Sequence, residues 1–531
     1  MRTGNAPPVL VVGAGPVGLV LACELARREI PVRVVDRLPR PTDQSRAIVV
    51  HARTLEALER VGALDDFLAA GIRASAVEMH DGPNVLAHVE LDTVDSPFPF
   101  SLVLPQTDTE LILTRRLRSL GVRIERGVTL TEFAQDGDGA RARLSLPDGG
   151  GETAETPWIA GADGSHSTVR AGTGQRLVGS FTGERFLLAD VEATHRLDPS
   201  AIHTFFPPEG GGPLLVFPMR ERRVRVIAQV PLDTPTTEPT PAQVQDVLDA
   251  RAGGIAVTST HWSTVFDIHH AQVPRYRRGR ALLLGDAAHI HSPAGGQGMN
   301  TGMQDAFNLA WKLAAVVRGE AASELLDSYH AERHPVAQRV IEQTTRLTDL
   351  GTLRRPAERT VRNILLHTAS GLAPLKHGVA DMTEEITVNY RHSPLVVRGE
   401  RGHGPQPGDA APDVRTAEGQ PPWHSLLAEG PGHTVVTVLP ESLDADARPA
   451  PPGTPPGTRR LLVGDEPGPG VDVVDPQRRI ARRYGFGAHG GTFVVRPDGY
   501  LASIGRDGRG TTAAEDYFVR RATGRPLSQP L

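Results

Sequence analysis

The chain has one cysteine, Cys23, in 531 residues. An intramolecular disulfide is therefore excluded, and so is any CxxC redox or zinc site. Lysine is almost missing: of 57 Lys and Arg residues only Lys312 and Lys376 are lysines. Together with the many Ala, Gly and Pro residues this reads as the codon bias of a GC-rich genome and says little about function. No apolar run approaches the roughly 20 residues of a membrane span. Residues Met1–Pro8 hold a single Arg and no apolar core, so no secretory signal is expected. A net charge of −5 gives no general reason to bind nucleic acid or an anionic membrane. Neither partner is expected, and the expected location is the cytoplasm.

What remains is an ordinary globular composition, 39% hydrophobic and 22% charged, with length for about three domains. No internal repeat is visible. Val9–Val12 is a short apolar run suited to a buried parallel strand. A helix is expected from about Pro16 to Arg28, with Val17, Leu21 and Leu25 on one face. Val32–Val35 reads as a second strand ending at Asp36, completing a βαβ opening. Thr54–Arg60 reads as a further helix, Gly149–Pro157 as a polar loop, and Trp158–Gly164 as another buried strand leading to a turn. Ala201–Phe206, Pro213–Pro218 and Val224–Val230 are short β-like runs that predict an antiparallel sheet in a separate domain. Val244–Arg251, Met299–Val317 and His330–Arg346 read as helices and Ala281–Leu284 as a strand. Arg398–Asp413 is a linker candidate. The chain beyond it ends in a hairpin within Gly490–Gly505, turned at Pro-Asp-Gly. Arg448–Arg460 reads as a loop of that last domain.

Three motifs carry chemistry. The first, VVGAGPVG, places Gly13, Gly15 and Gly18 between a strand and a helix. Gly13 permits a tight turn, Gly15 lets a pyrophosphate approach the backbone, and Gly18 allows close helix–strand packing. The helix start then faces the phosphates with free N–H groups. Asp36, at the end of the next strand, is placed to accept hydrogen bonds from a ribose diol, which argues against a 2′-phosphate there. Glu29 stands where such a helix often ends in glycine. The second motif, GADGSHSTVR, puts Asp163 after a buried strand and Arg170 shortly beyond; Asp163 also fits the N-cap of the next helix. The third, LLLGDAAHIHSPAGGQGMN, puts Asp286 at a strand end, where α/β sheets meet ligands. Its Pro293–Gly298 loop feeds a long helix whose start is a second anion-seeking end. A single extended dinucleotide would use both loops. Its ADP end would lie at Gly13–Gly18, and its flavin end at Gly295–Asn300, with Asp286 on the ribityl chain.

In that order and spacing the three segments resemble the GxGxxG, DG and GD fingerprints of single-component FAD-dependent aromatic hydroxylases, the para-hydroxybenzoate hydroxylase fold group. The likeness spans roughly residues 9–345. SRAIVVHARTLE and QTDTELIL resemble the same group and place Arg46 and Gln106 where the family contacts its flavin. The nearest subgroup comprises actinobacterial polyketide and phenol hydroxylases with a C-terminal thioredoxin-like domain, which Asp409–Asp413 and Phe493–Ile504 resemble. Without a CxxC, that domain is expected to pack or dimerise rather than do redox work.

The resemblance implies an α/β fold: a Rossmann-like FAD-binding domain, an antiparallel-sheet substrate domain and the thioredoxin-like domain. The FAD-binding domain is expected over residues 1–180 and again, with a helical segment, over 276–397. The substrate domain is expected over 181–275, with some of its strands near 75–105, and linker plus last domain over 398–531. The cofactor residues implied are Gly13, Gly15, Val17, Gly18, Asp36 and Arg37 at one end. At the other are Arg46, Gln106, Asp163, Asp286, Pro293, Gly296, Gly298, Met299 and Asn300. FAD stays bound, NADPH or NADH visits, and O2 and an aromatic substrate react through a flavin C4a-hydroperoxide. A homodimer is compatible with this. Alternatives are Baeyer–Villiger oxygen insertion, a non-catalytic flavin protein, and halogenation, which the isolated Trp158, Trp262, Trp311 and Trp423 disfavour. No metal is expected. His289 and His291, and the HAERH pair His330 and His334, read as packing residues, and His269–His270 has no partner at a recognisable spacing. Arg277, Arg278 and Arg280 read as a solvated basic turn. No general base is identifiable.

Overall fold

Val9–Val12 is buried along its whole length because it lies inside a sheet covered on both faces. In a computed structural model, which describes residues 7–82, 84–206, 212–235, 238–292, 296–351, 384–397, 402–441, 454–506 and 510–525, this strand pairs in parallel with Val32–Asp36 on one side and Ile159–Gly161 on the other. Ala281–Leu283 continues the parallel run beyond Ile159–Gly161. Arg277–Arg278 and Ile124–Arg126 close the two edges of this six-stranded sheet. The sheet thus sets the carboxyl ends of three distant strands side by side, and each of the three motifs leaves from one of them.

Two buried helices seal this arrangement. Pro16–Ala26 follows the first glycine loop, and Gln297–Val317 follows the last. They meet where side chains are smallest. A Cβ on Gly302 would fall 2.6 Å from Val17 Cγ2 and 3.2 Å from Gly285 Cα. The two glycine-rich loops, some 270 residues apart in sequence, are therefore locked together by this packing.

The second sheet has eight strands, in the order His289–Ile290, Ala256–Gln272, Val178–Thr194, Arg223–Val230, Leu214–Pro218, Ala201–Phe206, Ala76–Asp81, Asn84–Glu90. All neighbours are antiparallel except Ala201–Phe206 with Ala76–Asp81. One face packs against the Pro241–Arg251 helix through Leu187, Val226, Val244 and Leu248. The other packs Phe186, Leu188, Phe217, Ile227 and Ile268 with Ile48, Val49 and Val103.

The C-terminal region holds a five-stranded sheet ordered Val473–Val474, Arg459–Gly464, Thr434–Val438, Gly491–Val495, Leu501–Arg506, with the Gly510–Thr523 helix against it. The last two strands form the expected hairpin. Of the linker candidate and the Arg448–Arg460 loop, residues 398–401 and 448–453 lie outside the described residues. A buried charge cluster fastens this region to the rest. Lys312 Nζ donates to Glu332 Oε2 at 2.7 Å, and Arg496 holds both Glu332 oxygens at 2.7 and 2.8 Å. Burial pushes the Lys312 amine down to about 8, against the pull of Glu332. One of the two lysines of the chain is therefore a clasp on the helix that begins at the third motif.

Two expectations need correction. Gly149–Pro157 contains a strand, Gly151–Thr156, whose side chains alternate in exposure and whose Glu152 pairs with Arg33 at 2.5 Å. Short polar alternation on an edge strand reads as a loop when only composition is weighed. Nor are Arg277 and Arg280 simply solvated, whereas Arg278 between them is exposed as expected. Arg277 is 17% exposed in its side chain and pairs with Asp327 at 2.9 Å, and the Arg277 and Arg280 guanidiniums lie 5.3 and 4.7 Å from the Trp158 ring. Among the described residues no helix is long and apolar enough to cross a membrane.

Candidate FAD and substrate site

At the carboxyl edge of the first sheet the three motifs are stitched by backbone bonds. Gly13 N–H donates to Val35 O at 2.9 Å, Ala162 N–H to Val12 O at 2.8 Å, and Leu284 N–H to Gly161 O at 3.0 Å. Gly13 has φ +102°, and a Cβ there would sit 2.3 Å from Ala162 O, so both its conformation and its surroundings demand glycine. A Cβ on Gly18 would lie 2.0 Å from Gly13 O. Gly15 differs: a Cβ there would meet no protein atom within 4 Å. The space it leaves belongs to a cavity of about 800 Å³.

This cavity has two ends. One is lined by Gly13, Gly15, Val17, Asp36, Arg37 and Arg126. The other is lined by Arg46, Asp286, His291, Gly298 and Met299, beneath Phe217, Ile227, Phe266 and Ile268 of the second sheet, and Gln106 lies between, bonded to Ala47 and to Glu110, which feels Arg126 and Asp36. Asp163 and Gly296 also line it. The size and two-ended shape suit one extended ligand bound largely by preformed walls.

Each candidate residue has a definite job toward the protein. Asp36 Oδ2 accepts from Ala14 N–H at 2.7 Å and Oδ1 from Leu38 N–H at 2.8 Å, so its first role is to brace the glycine loop. An ionised carboxylate has further lone pairs for a ribose. Arg126, unremarked in the sequence, stands 3.5 Å from Asp36 and leaves Nη2 buried with no partner among the described residues. Asp163 accepts from Thr168 N–H at 2.7 Å, Val169 N–H at 3.2 Å and the Ser167 hydroxyl at 2.5 Å. Its carboxylate therefore holds the start of the Thr168–Gly172 helix. Arg170 joins the second motif to the third by donating to Ala287 O at 3.1 Å.

Asp286 is the opposite case. Its side chain is exposed to the cavity yet enclosed by the protein, and no described residue donates a hydrogen bond to its carboxylate. Burial raises its pKa, with His289 and Arg46 pulling the other way. An unsatisfied carboxylate in an enclosed space calls for donors from a ligand. The turn that carries it is anchored from below. Asp305 Oδ2 accepts from Gly285 N–H at 3.2 Å and faces His289 Nε2 at 2.7 Å, while Oδ1 accepts from Arg333 Nε at 2.7 Å. Burial opposes the Asp305 charge, but Arg333 and His289 outweigh it and hold the carboxyl below its usual range.

Gly296 caps the Gln297–Val317 helix at φ +66°, pressed to 3.2 Å from Val49 Cβ if it carried a Cβ. Asn300 does not line the cavity. Its Oδ1 accepts from His51 N–H at 2.9 Å, and its Nδ2 donates to Val49 O and Gly296 O, both at 2.9 Å. The side chain thus shapes the loop, and Gly298 and Met299 of the first helical turn line the cavity end. Pro293 and Gly295 lie outside the described residues. Gln106 Nε2 donates to Glu110 and its Oε1 accepts from Ala47 N–H. Arg46 lies 5.6 Å from the Phe266 ring. Its loop is held by Arg225, a buried residue that donates to Ala47 O at 2.9 Å and grips Asp190 through two bonds of 2.6 and 2.7 Å.

His291 lines the cavity, which its reading as a packing residue did not anticipate. Its Nδ1 lies 3.0 Å from Ser292 O, and its Nε2 has no partner among the described residues. Burial, then His289, pushes its pKa down to about 4, so the ring is neutral near pH 7.

The comparisons agree with this geometry. A family model described as "FAD binding domain" matches residues 7–344. The chain is 38% identical over 537 residues to the 6-methylpretetramide 4-monooxygenase of Streptomyces rimosus, covering 96% of this chain and 92% of that one. It belongs to the FAD-dependent aromatic monooxygenases. The pentachlorophenol 4-monooxygenase of Sphingobium chlorophenolicum is 31% identical over 516 residues, covering 93% of each. A crystal structure of aklavinone-11 hydroxylase in a ternary complex with FAD and aklavinone matches at TM-score 0.76 and 26% identity, over 98% of this chain and 100% of that one. The cofactor of this monooxygenase is FAD, and the residues present fit it: the void at Gly15, the orphaned Arg126 nitrogen and the unsatisfied Asp286 all face the same cavity. Cys23 takes no part. It is buried, and its thiol is pushed up to about 12 by burial.

Proposed function

We propose that this monooxygenase hydroxylates a polycyclic aromatic polyketide or a related phenol, with NADPH or NADH as transient reductant. The observation that carries the reading is the continuity of one cavity from the glycine loop to an apolar roof of Phe217, Ile227, Phe266 and Ile268. Relatives that act on 6-methylpretetramide and on pentachlorophenol support the substrate class. Bound there, FAD supplies the redox chemistry: acceptance of hydride from the nicotinamide and transfer of one oxygen atom from O2 to an electron-rich ring.

The chain's own part is holding and shielding. Val17 and Gly18 present helix-start N–H groups to the pyrophosphate, with Arg126 and Asp36 beside them, and Asp286 accepts from the ribityl chain. The turn of Gly296–Met299 presents N–H groups to the anionic edge of the flavin. Arg225 keeps the Arg46–Ala47 loop closed over the cavity, and the sheet excludes water from the reacting atoms. Neutral His291, whose Nε2 has no partner among the described residues, is placed to receive a hydrogen bond from a substrate hydroxyl. The C-terminal region, read as a thioredoxin-like domain without cysteine, packs rather than reacts. The reading places the enzyme in the cytoplasm, where one buried thiol needs no partner.

The test is a panel of polycyclic polyketides and phenols screened for stimulated NADPH and NADH oxidation by FAD-loaded protein, with product NMR. A phenol carrying one added oxygen supports hydroxylation. A lactone assigns Baeyer–Villiger insertion instead, and nicotinamide oxidation that no aromatic compound accelerates overturns the reading.

A further inference from the structure

A cluster away from the cavity has the form of a metal site. His80 Nε2 and His203 Nδ1 lie 3.2 Å apart, and Glu78 Oε2 lies 3.4 Å from the first and 3.3 Å from the second. The same three atoms therefore form one small, nearly equilateral triangle. Tetrahedral ligand atoms about 2.0–2.1 Å from a Zn²⁺ ion stand roughly 3.3–3.4 Å from one another. We propose that Glu78, His80 and His203 bind a divalent transition metal, Zn²⁺ by ligand type, with a fourth position left to water.

The surroundings are those of a metal site. His203 is fully buried and His80 nearly so, while Glu78 is 17% exposed in its side chain. His203 Nε2 lies 2.9 Å from Asp198 O, which fixes the ring and turns the Nδ1 lone pair toward the triangle. His88 Nδ1 lies 3.1 Å from the other Glu78 oxygen and orients the carboxylate. Such outer partners are a regular feature of histidine–metal sites. Without a cation the triangle is frustrated. Hydrogen bonding within it has one His80 N–H to share, leaving the His203 lone pair against the carboxylate oxygen at 3.3 Å.

The site fastens two chain-distant strands. Glu78 and His203 are register partners of the single parallel pair in the eight-stranded sheet, and His80 stacks on Phe205 at 4.4 Å. Phe205 packs on the helix-covered face, while Val77 and Ile202 pack toward the cavity side. The metal would thus lie across the sheet from the substrate cavity, as a clip holding the Ala76–Glu90 hairpin to the substrate domain. No sequence spacing reveals it, because the ligands lie in two segments 123 residues apart.

Tag-free, FAD-loaded protein, stripped with a chelator and titrated with Zn²⁺ and with Co²⁺, tests this. One equivalent should bind, Co²⁺ should give tetrahedral ligand-field absorption beyond the flavin bands, and the melting temperature should rise. His203→Asn and His80→Gln should each weaken binding by at least the about ten- to hundredfold that loss of an outer partner costs. Their flavin spectrum and FAD uptake should stay unchanged, since the site lies on the other face. Wild-type protein that takes up no stoichiometric metal, or variants that bind as the wild type does, overturns the proposal. Should a variant fail to fold, the wild-type stoichiometry and Co²⁺ spectrum decide alone.

Discussion

The two ends of the cofactor cavity are built by opposite means. At the glycine-loop end the backbone does the work: Gly13 and Gly18 are required by contacts of 2.3 and 2.0 Å, and Gly15 is required by empty space. At the Asp286 end Gly285 and Gly296 also hold positive φ, +54° and +66°, but the turn is anchored in addition by a buried charge relay, Asp305 with Arg333 and His289. The first end fails through steric collision, the second through loss of a remote charge. Changes at the two ends should therefore differ in kind as well as in size.

The largest effect is expected at the glycine end. Gly13→Val meets Ala162 O in a left-handed conformation, and should abolish FAD retention and cost more than about 3 kcal/mol, read by flavin absorbance and urea unfolding. At the other end Asp305→Ala leaves Arg333 buried and unpaired. It should cost about 3–5 kcal/mol by the same unfolding measurement, although neither residue lines the cavity. Asp286→Ala should leave unfolding stability almost unchanged and weaken FAD about ten- to a hundredfold, the worth of a hydrogen bond to a charged group. Global destabilisation by Asp286→Ala would erase the contrast.

The pH dependence sharpens the same contrast. His291 has a folded pKa of about 4, against about 6.5 when unfolded. Between those values the unfolded chain binds the extra proton, so stability is whole above about pH 6.5 and declines as pH falls toward 4. His291→Gln should flatten that decline in thermal melts. The smallest effect lies outside the cavity. Glu29 holds φ +59° at the exposed end of the first helix, where glycine is usual. Glu29→Gly should add about 0.5–1 kcal/mol by relieving that strain, with FAD affinity unchanged.

The contrast also explains what was legible in the sequence. Gly13, Gly15 and Gly18 act through local geometry, so their spacing announces them. The three strand–motif junctions are likewise visible, because each is a short apolar run ending in a polar turn. Asp305, Arg333, Arg225 and Arg126 were invisible for the converse reason. Each acts through a partner far along the chain, and in a sequence that supplies positive charge almost wholly as arginine, no single arginine stands out. Asn300 was found but its action was not, since its side chain bonds Val49 O and the His51 N–H rather than facing the cavity. His291 reads as a packing residue because a histidine in a loop has no periodicity to mark its direction.

The central claim is that the two glycine-rich loops are the two ends of one FAD site. Fluorescence titration of wild type and Asp286→Ala with FAD and, separately, with ADP tests it most directly. The account predicts that the variant loses about ten- to a hundredfold in FAD affinity while its ADP affinity stays at the wild-type value. Unchanged FAD affinity, or an equal loss for ADP, would contradict it.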